Sequence, residues 1–376
     1  IILDFKEDVP IAKISEEIQE LSAKYNQQVG LNSFFSISDR IYIVEGDKKV
    51  LKELKRSPLR KDTEYIEANY LYHISAVPND PQYNRQWNFR DINVEQAWDE
   101  TRGAGVTVAV IDTGVSIVPD LKSTKFVPGY DFVKNKDEVS DDNGHGTHVA
   151  GTIAQSTNNG YGVAGVAYEA SIMPLKVLAS SGGGTVADIA EAIKFAADNG
   201  ANVINMSLGG GGASNMMEEA IKYAHDKGVV IVAAAGNEGR NAASYPARYP
   251  DVISVAATNP GGDKADYSNF GAGVDISAPG GSAEGKGNNG KIIQNTINPA
   301  TGESVFVGFP GTSMAAPHVS GVAALIRSTG VETPDEIRDI LLQSTRKVEE
   351  DHLNHFGSGH LDANAAVQLA LKGKIT

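Results

Sequence analysis

The sequence contains no cysteine. Disulfides, thiol catalysis and thiolate metal sites are therefore excluded. That absence does not fix the compartment, because exported bacterial enzymes also do without the residue. No run of about 18 apolar residues occurs, so no stretch reads as a membrane-spanning helix. The opening IILDFKEDVP lacks the charged-then-apolar pattern of a signal peptide, which an exported protein would already have lost. Positive charge is also scarce. The chain has 33 Lys and Arg against 47 Asp and Glu, a formal net charge of −14. A nucleic-acid partner is disfavoured, since neutralising phosphates needs a basic surface. Acidity suits a soluble protein, and equally one that binds cations such as Ca²⁺.

What is present is enough to bury a large core and a smaller second one: 376 residues, 41 % of them hydrophobic. Residues 1–75 are rich in charge and poor in glycine. Ile14, Ile18 and Leu21 have helical spacing within 14–25. RIYIVE at 40–45 and EYIEANYLY at 64–72 read as strands. DKKVLKELK at 47–55 reads as a helix capped by Asp47. A small α+β domain is expected there. AVPNDPQYNRQWNFR at 76–90 reads as an extended linker, broken by two prolines. Beyond it, buried apolar runs alternate with helical ones. That pattern predicts a parallel sheet with helices on both faces, and the ends of its strands are where function collects.

Four short pieces in this second region carry chemistry. The run 106–111 ends in Asp112-Thr113-Gly114, a carboxylate at the end of a strand; an Asp that merely caps the next turn is equally compatible. DDNGHGTH places His145 in the first turn of a helix, where a neutral imidazole accepts a proton if an acid holds its other nitrogen. His148 follows three residues later on a similar face. VVIVAAAGNEG ends a buried strand in Gly236-Asn237, an amide placed to donate to developing charge, or a turn former. Gly311-Thr312-Ser313 opens an apolar helix. A serine there usually caps, yet the same position offers backbone N–H groups to an oxyanion.

In their order along the chain, DTG, HGTHVAGT, GN and GTSMAAPH resemble the subtilisin family of serine proteases. Loop lengths are similar to those of its thermitase-like members. The resemblance covers nearly the whole chain. It implies a three-layer α/β fold, subtilisin-like, with a mostly parallel sheet and helices on both faces, in residues 76–376. Residues 1–75 then resemble a propeptide domain, as in a self-processing zymogen. The implied roles are Asp112 orienting the histidine, His145 as general base and Ser313 as nucleophile. Asn237 and the Ser313 N–H would form the oxyanion hole. Ser207, Leu208 and Gly209 resemble one substrate-pairing strand, and Gly182, Gly183 and Gly184 the opposing one. Ala233, Ala234 and Gly236 are expected to line the main side-chain pocket, with Glu238 at its rim admitting basic side chains.

The resemblance also implies calcium. Asp80, Asp120, Asn159 and the carbonyls of Ser156, Tyr161 and Val163 match a high-affinity site of thermitase-like enzymes. A weaker cation site is expected near Ala247, Tyr249 and Asp275. Zinc at His145 and His148 is not expected, since HGTH lacks the acid and spacing of HExxH. Self-cleavage is expected close to Ser75-Ala76, with the propeptide remaining in the active site of a monomeric, secreted enzyme. Two other readings stand beside this one. A catalytically silent protease fold acting as a binding protein is disfavoured by the complete set of motifs. An α/β-hydrolase esterase is disfavoured because Gly311–Ala315 is not GxSxG and the residue order differs. Residues 281–308 exceed the usual length before the nucleophile and read as a Gly-rich loop and a hairpin.

Overall fold

The computed structural model describes residues 1–69, 77–284, 287–349 and 351–373. The expected processing positions Ser75 and Ala76 lie outside the described residues. Two compact units are present, one built on Ile1–Ile74 and the other spanning Ser75–Leu371.

In the smaller unit four strands pair in the order Gly30–Leu31, Ile41–Ile43, Ile2–Phe5, Thr63–Glu67, all antiparallel. Helix Lys48–Arg56 starts as expected at Asp47, whose carboxylate accepts from the Val50 N–H at 2.9 Å. The other helix, Ile11–Tyr25, begins earlier than its apolar spacing suggests, directly after Pro10. Strand Ile2–Phe5 escaped the sequence reading. It is short, and only Leu3 and Phe5 point into the core, where they meet Ile14, Leu54 and Ile66.

The larger unit holds an eight-stranded sheet whose pairings are all parallel. Its first strand, Thr107–Asp112, sits centrally. Ser171–Lys176 pairs on one side of it and Val203–Met206 on the other. The chain therefore reverses its direction of winding at Thr107–Asp112, and a crevice opens there beyond the strand ends. Side chains alternate along the strand. Val108 and Val110 face a core shared with helices His145–Ala154 and Thr312–Ser328. Ala109 and Ile111 face a core shared with Val186–Asp198 and Asn215–Asp226. Burial on both faces explains why these strands read as unbroken apolar runs.

The expected linker at 76–90 is not simply extended. Tyr83–Arg85 and Trp87–Asp91 are short helices, and Tyr83 and Phe89 are buried. Tyr83, Phe89 and Trp98 pack ring against ring at about 6 Å, and this local core overrides the turn signals of the prolines. The long segment before Ser313 does form a hairpin, Ile292–Ile297 against Ser304–Phe309.

Candidate active site

Asp112 is the last residue of the central strand and is fully buried. One carboxylate oxygen accepts from the Thr113 N–H and pairs with His145 Nδ1, both at 2.7 Å. The other, Oδ2, has no hydrogen-bond partner among the described residues. The helix of His145 can approach this closely only because residue 146 is glycine. A Cβ there would lie 2.2 Å from the Gly114 carbonyl and 3.1 Å from the Asp112 Cβ. Burial disfavours the imidazolium of His145. The charge of Asp112, its hydrogen bond and the charge of Asp141 outweigh that and raise the pKa above its usual value.

Asp141 does more than add charge. Its Oδ1 accepts from Thr113 Oγ1 and from the N–H groups of Asn143 and Gly144, all at 2.9 Å. Its Oδ2 accepts from Thr147 N–H and Oγ1 at 3.0 and 2.6 Å. One buried carboxylate thus ties the turn after Asp112 to the start of the His145 helix. Behind them lies buried Lys176, which donates to the Thr113 and Leu178 carbonyls and to Asp142 at 2.6, 2.9 and 2.7 Å.

Ser313 lies in the first turn of helix Thr312–Ser328, where it does not act as a cap. Its hydroxyl donates to the Ser207 carbonyl at 3.1 Å, and no hydrogen bond joins it to His145 among the described residues. Asn237 is exposed. Its amide oxygen accepts from Thr312 N–H and Oγ1, both at 2.8 Å, which leaves its N–H groups free to donate elsewhere. A cavity of about 500 Å³ runs from His145 between Gly182–Gly184 and Ser207–Gly209. That is room for several side chains of an extended peptide.

Asp80 and Asp120 are also buried, at 4 % and 0 % exposure, and neither has an ion-pair partner among the described residues. Burial, together with the nearby charge of Asp80, pushes Asp120 up to about 7; burial raises Asp80 in the same direction. The loop 156–163 wraps them. Asp80 accepts from the Asn158 and Asn159 N–H groups, and Asp120 from the Val163 N–H at 2.9 Å. Gly162 permits this, because a Cβ would sit 2.1 Å from an Asp120 oxygen. Asn159 turns its amide nitrogen to Asp120 at 2.8 Å. Among the described residues no three acidic or histidine side chains are placed to hold a metal ion together, so a cation here would depend on carbonyl and amide oxygens as well. Two buried, uncompensated carboxylates in a carbonyl-rich loop fit a hard cation.

A model of the subtilase family matches residues 103–359. The chain belongs to the subtilase family. Thermitase of Thermoactinomyces vulgaris is 41 % identical over 294 residues, 78 % of this chain and 99 % of that protein. A thermophilic serine proteinase from a Bacillus species is 38 % identical over 370 residues, covering 98 % of this chain and 86 % of that one. A solved protease from Pseudoalteromonas arctica superposes with a TM-score of 0.73 at 38 % identity, covering 78 % of this chain and 100 % of that one. The present subtilase is accordingly a serine endopeptidase.

Several residues singled out in the sequence make other contacts in this subtilase. The cavity of about 500 Å³ is lined by Gly182–Gly184 and Ser207–Gly209 and not by the side chains of Ala233 and Ala234. As neighbours on strand Val230–Ala234, the two alanines point to opposite faces and fill the two cores. The weaker cation site near Ala247, Tyr249 and Asp275 is taken by a side chain. Arg338 pairs with Asp275 at 2.7 Å and donates to the Pro250 and Val252 carbonyls at 2.7 and 3.3 Å. Glu238 is turned toward Asn269, which donates to it at 2.7 Å. His148 and His318 are packed and neutral. His148 stacks on Phe309 and bonds the Ile292 carbonyl at 2.9 Å; burial lowers it to about 3. His318 bonds Asn88 and the Met314 carbonyl, and burial lowers it to about 4. The sequence reading missed Asp141, Lys176 and Thr312. Asp141 alone left a signal, as an acid just before a helix start.

Proposed function

We propose that this subtilase is an exported, calcium-stabilised endopeptidase made as a self-processing zymogen, with residues 1–75 as its propeptide. The reading rests on the Asp112–His145 pair at 2.7 Å, whose histidine opens onto a peptide-sized cleft. Asp112 fixes the tautomer that leaves Nε2 free to take a proton. The Ser313 hydroxyl donates to the Ser207 carbonyl. A substrate N–H that bonds this carbonyl displaces the hydroxyl, which then gives its proton to His145 as Oγ attacks. The tetrahedral oxyanion receives N–H donors from Asn237 and from the Ser313 backbone. Collapse expels the amine with the proton from His145, and water repeats the sequence on the acyl-enzyme.

Calcium would be held by Asp80, Asp120, Asn159 and the carbonyls of Ser156, Tyr161 and Val163. Bound there, it supplies positive charge to two buried carboxylates and stiffens the loop. A relative in Xanthomonas campestris, 37 % identical over 405 residues, is named an extracellular protease, which supports export here, and the thermophilic Bacillus proteinase supports heat stability. Turnover of a fluorogenic peptide, lost in Ser313→Ala, tests the enzymatic part; undiminished turnover in that variant refutes it. Intact mass with and without Ca²⁺ tests processing. A single cut close to residue 75 is expected in wild type and none in Ser313→Ala.

A further inference from the structure

Pro317 lies inside helix Thr312–Ser328, four residues after Ser313. It has no N–H, so the Ser313 carbonyl lacks its normal helical donor. The hydroxyl of Ser207 fills the gap, donating to that carbonyl at 2.8 Å. Ser207 in turn receives from Asn205 Nδ2 at 2.9 Å, and Asn205 Oδ1 receives from the Ser320 hydroxyl at 2.8 Å. All three side chains are buried, at 3 %, 0 % and 0 % exposure for Ser207, Asn205 and Ser320.

The direction of this relay is forced from one end. A carbonyl only accepts, so the single proton of Ser207 goes to Ser313. Ser207 Oγ must then accept, which orients the Asn205 amide with its nitrogen toward Ser207. Its oxygen faces Ser320, whose proton is committed in turn. Asn205 belongs to strand Val203–Met206 and is flanked in register by Val110 and Val232. Ser320 stands two helical turns after Ser313, on the same face. The relay thus fastens the first turn of the helix to the rigid centre of the sheet. Ser207 and Ser313 exchange two hydrogen bonds, hydroxyl to carbonyl in each direction.

We propose that Asn205 and Ser320 are positioning residues for the Ser313 nucleophile, acting through the Ser207 hydroxyl. The inference rests on Ser313 being the nucleophile. Neither residue touches substrate; both fix the peptide unit that carries Oγ and the oxyanion N–H. A loose helix start misaligns the attack without changing how peptide binds, so the effect belongs to kcat and not to KM.

Asn205→Asp has the same shape but offers only acceptors to Ser207. The Ser207 hydroxyl then turns to the carboxylate and abandons Ser313. We expect kcat to fall roughly 10- to 100-fold, with KM unchanged and a matching fall in the rate of inactivation by a sulfonyl fluoride. Ser320→Ala removes only the far donor and should cost several-fold in kcat. Ser320→Thr keeps the hydroxyl and should restore it. All rates are taken per folded molecule, checked by near-ultraviolet circular dichroism. If Asn205→Asp does not fold, the Ser320 pair decides. Ser313→Ala is assayed in parallel: full activity there means that the nucleophile is wrong. Loss of activity there, with kcat unchanged in the relay variants and only their melting temperatures lowered, overturns the inference alone.

Discussion

At Asn237 a single amide is oriented by two hydrogen bonds from Thr312, one from its backbone and one from its side chain. Its oxygen is occupied, so its nitrogen is the end offered to a developing oxyanion. Asn237→Ala should lower kcat about 10²–10³-fold, the range known for the corresponding donor in subtilisin, with little change in KM. A comparable rise in KM with kcat preserved would instead make Asn237 a binding group. His145 carries a second prediction. Neutral imidazole is the active form, and Asp112 and Asp141 favour the charged form. The acid limb of kcat/KM should therefore lie above the usual histidine value of about 6.5, with activity rising as pH rises through it. Asp141→Asn removes one of the two charges and should move that limb to lower pH. A limb that stays in place in this variant would remove Asp141 from the electrostatics of the base.

Among the elements, helix His145–Ala154 and hairpin 292–309 explain how a distant loop can influence the base. Strand Ile292–Ile297 meets Asp120 through Asn295, whose amide oxygen accepts from the Asp120 N–H at 3.2 Å. It also holds His148 through the Ile292 carbonyl and, through Thr296, the carbonyl of Gly144 directly before His145. Calcium between Asp80 and Asp120 would thus stiffen the support of the base. In Ser313→Ala, which cannot digest itself, Ca²⁺ should raise the melting temperature, by about 2.7 kcal/mol of stability at a hundredfold excess over its Kd. The same melting temperature in Ca²⁺ and in chelator would sink both the site and the coupling. The sequence reading singled out Asp80, Asp120 and the loop 156–163 through their resemblance to thermitase-like enzymes. It did not show the hairpin's role, since Asn295 and Thr296 act through contacts more than a hundred residues away in the chain.

For the molecule as a whole, two histidines buried in neutral form contribute to the response to acid. His148 and His318 sit at about 3 and about 4 when folded and near 6.5 when unfolded. Their folded values are depressed, so the unfolded chain binds more protons as pH falls below 6.5. Stability contributed by keeping them neutral is full above that pH and is lost progressively down to about 4. Between these limits the two together should contribute about 2.7 kcal/mol per pH unit, with Asp120, raised to about 7 when folded, working in the opposite direction; the share of one ring is measured as the loss of slope in urea midpoints when His318→Gln is added to Ser313→Ala. A slope unchanged by His318→Gln would mean that this ring is solvated. Both histidines lie within helices among buried neighbours. The parallel sheet was equally plain from its unbroken apolar runs. The short helices after residue 80 were not, because turn residues there are overruled by the packing of Tyr83, Phe89 and Trp98. Asp112, His145 and Ser313 were singled out through their motifs, whereas the donors around them became visible only in three dimensions. The proposed nucleophile, Ser313, is open to direct labelling. The purified protein is treated with an organophosphorus fluoridate, digested, and its peptides are weighed. One adduct on Ser313, formed in step with loss of activity and suppressed in His145→Ala, is the predicted result. Adduct on another serine, or full activity with Ser313 modified, would contradict it.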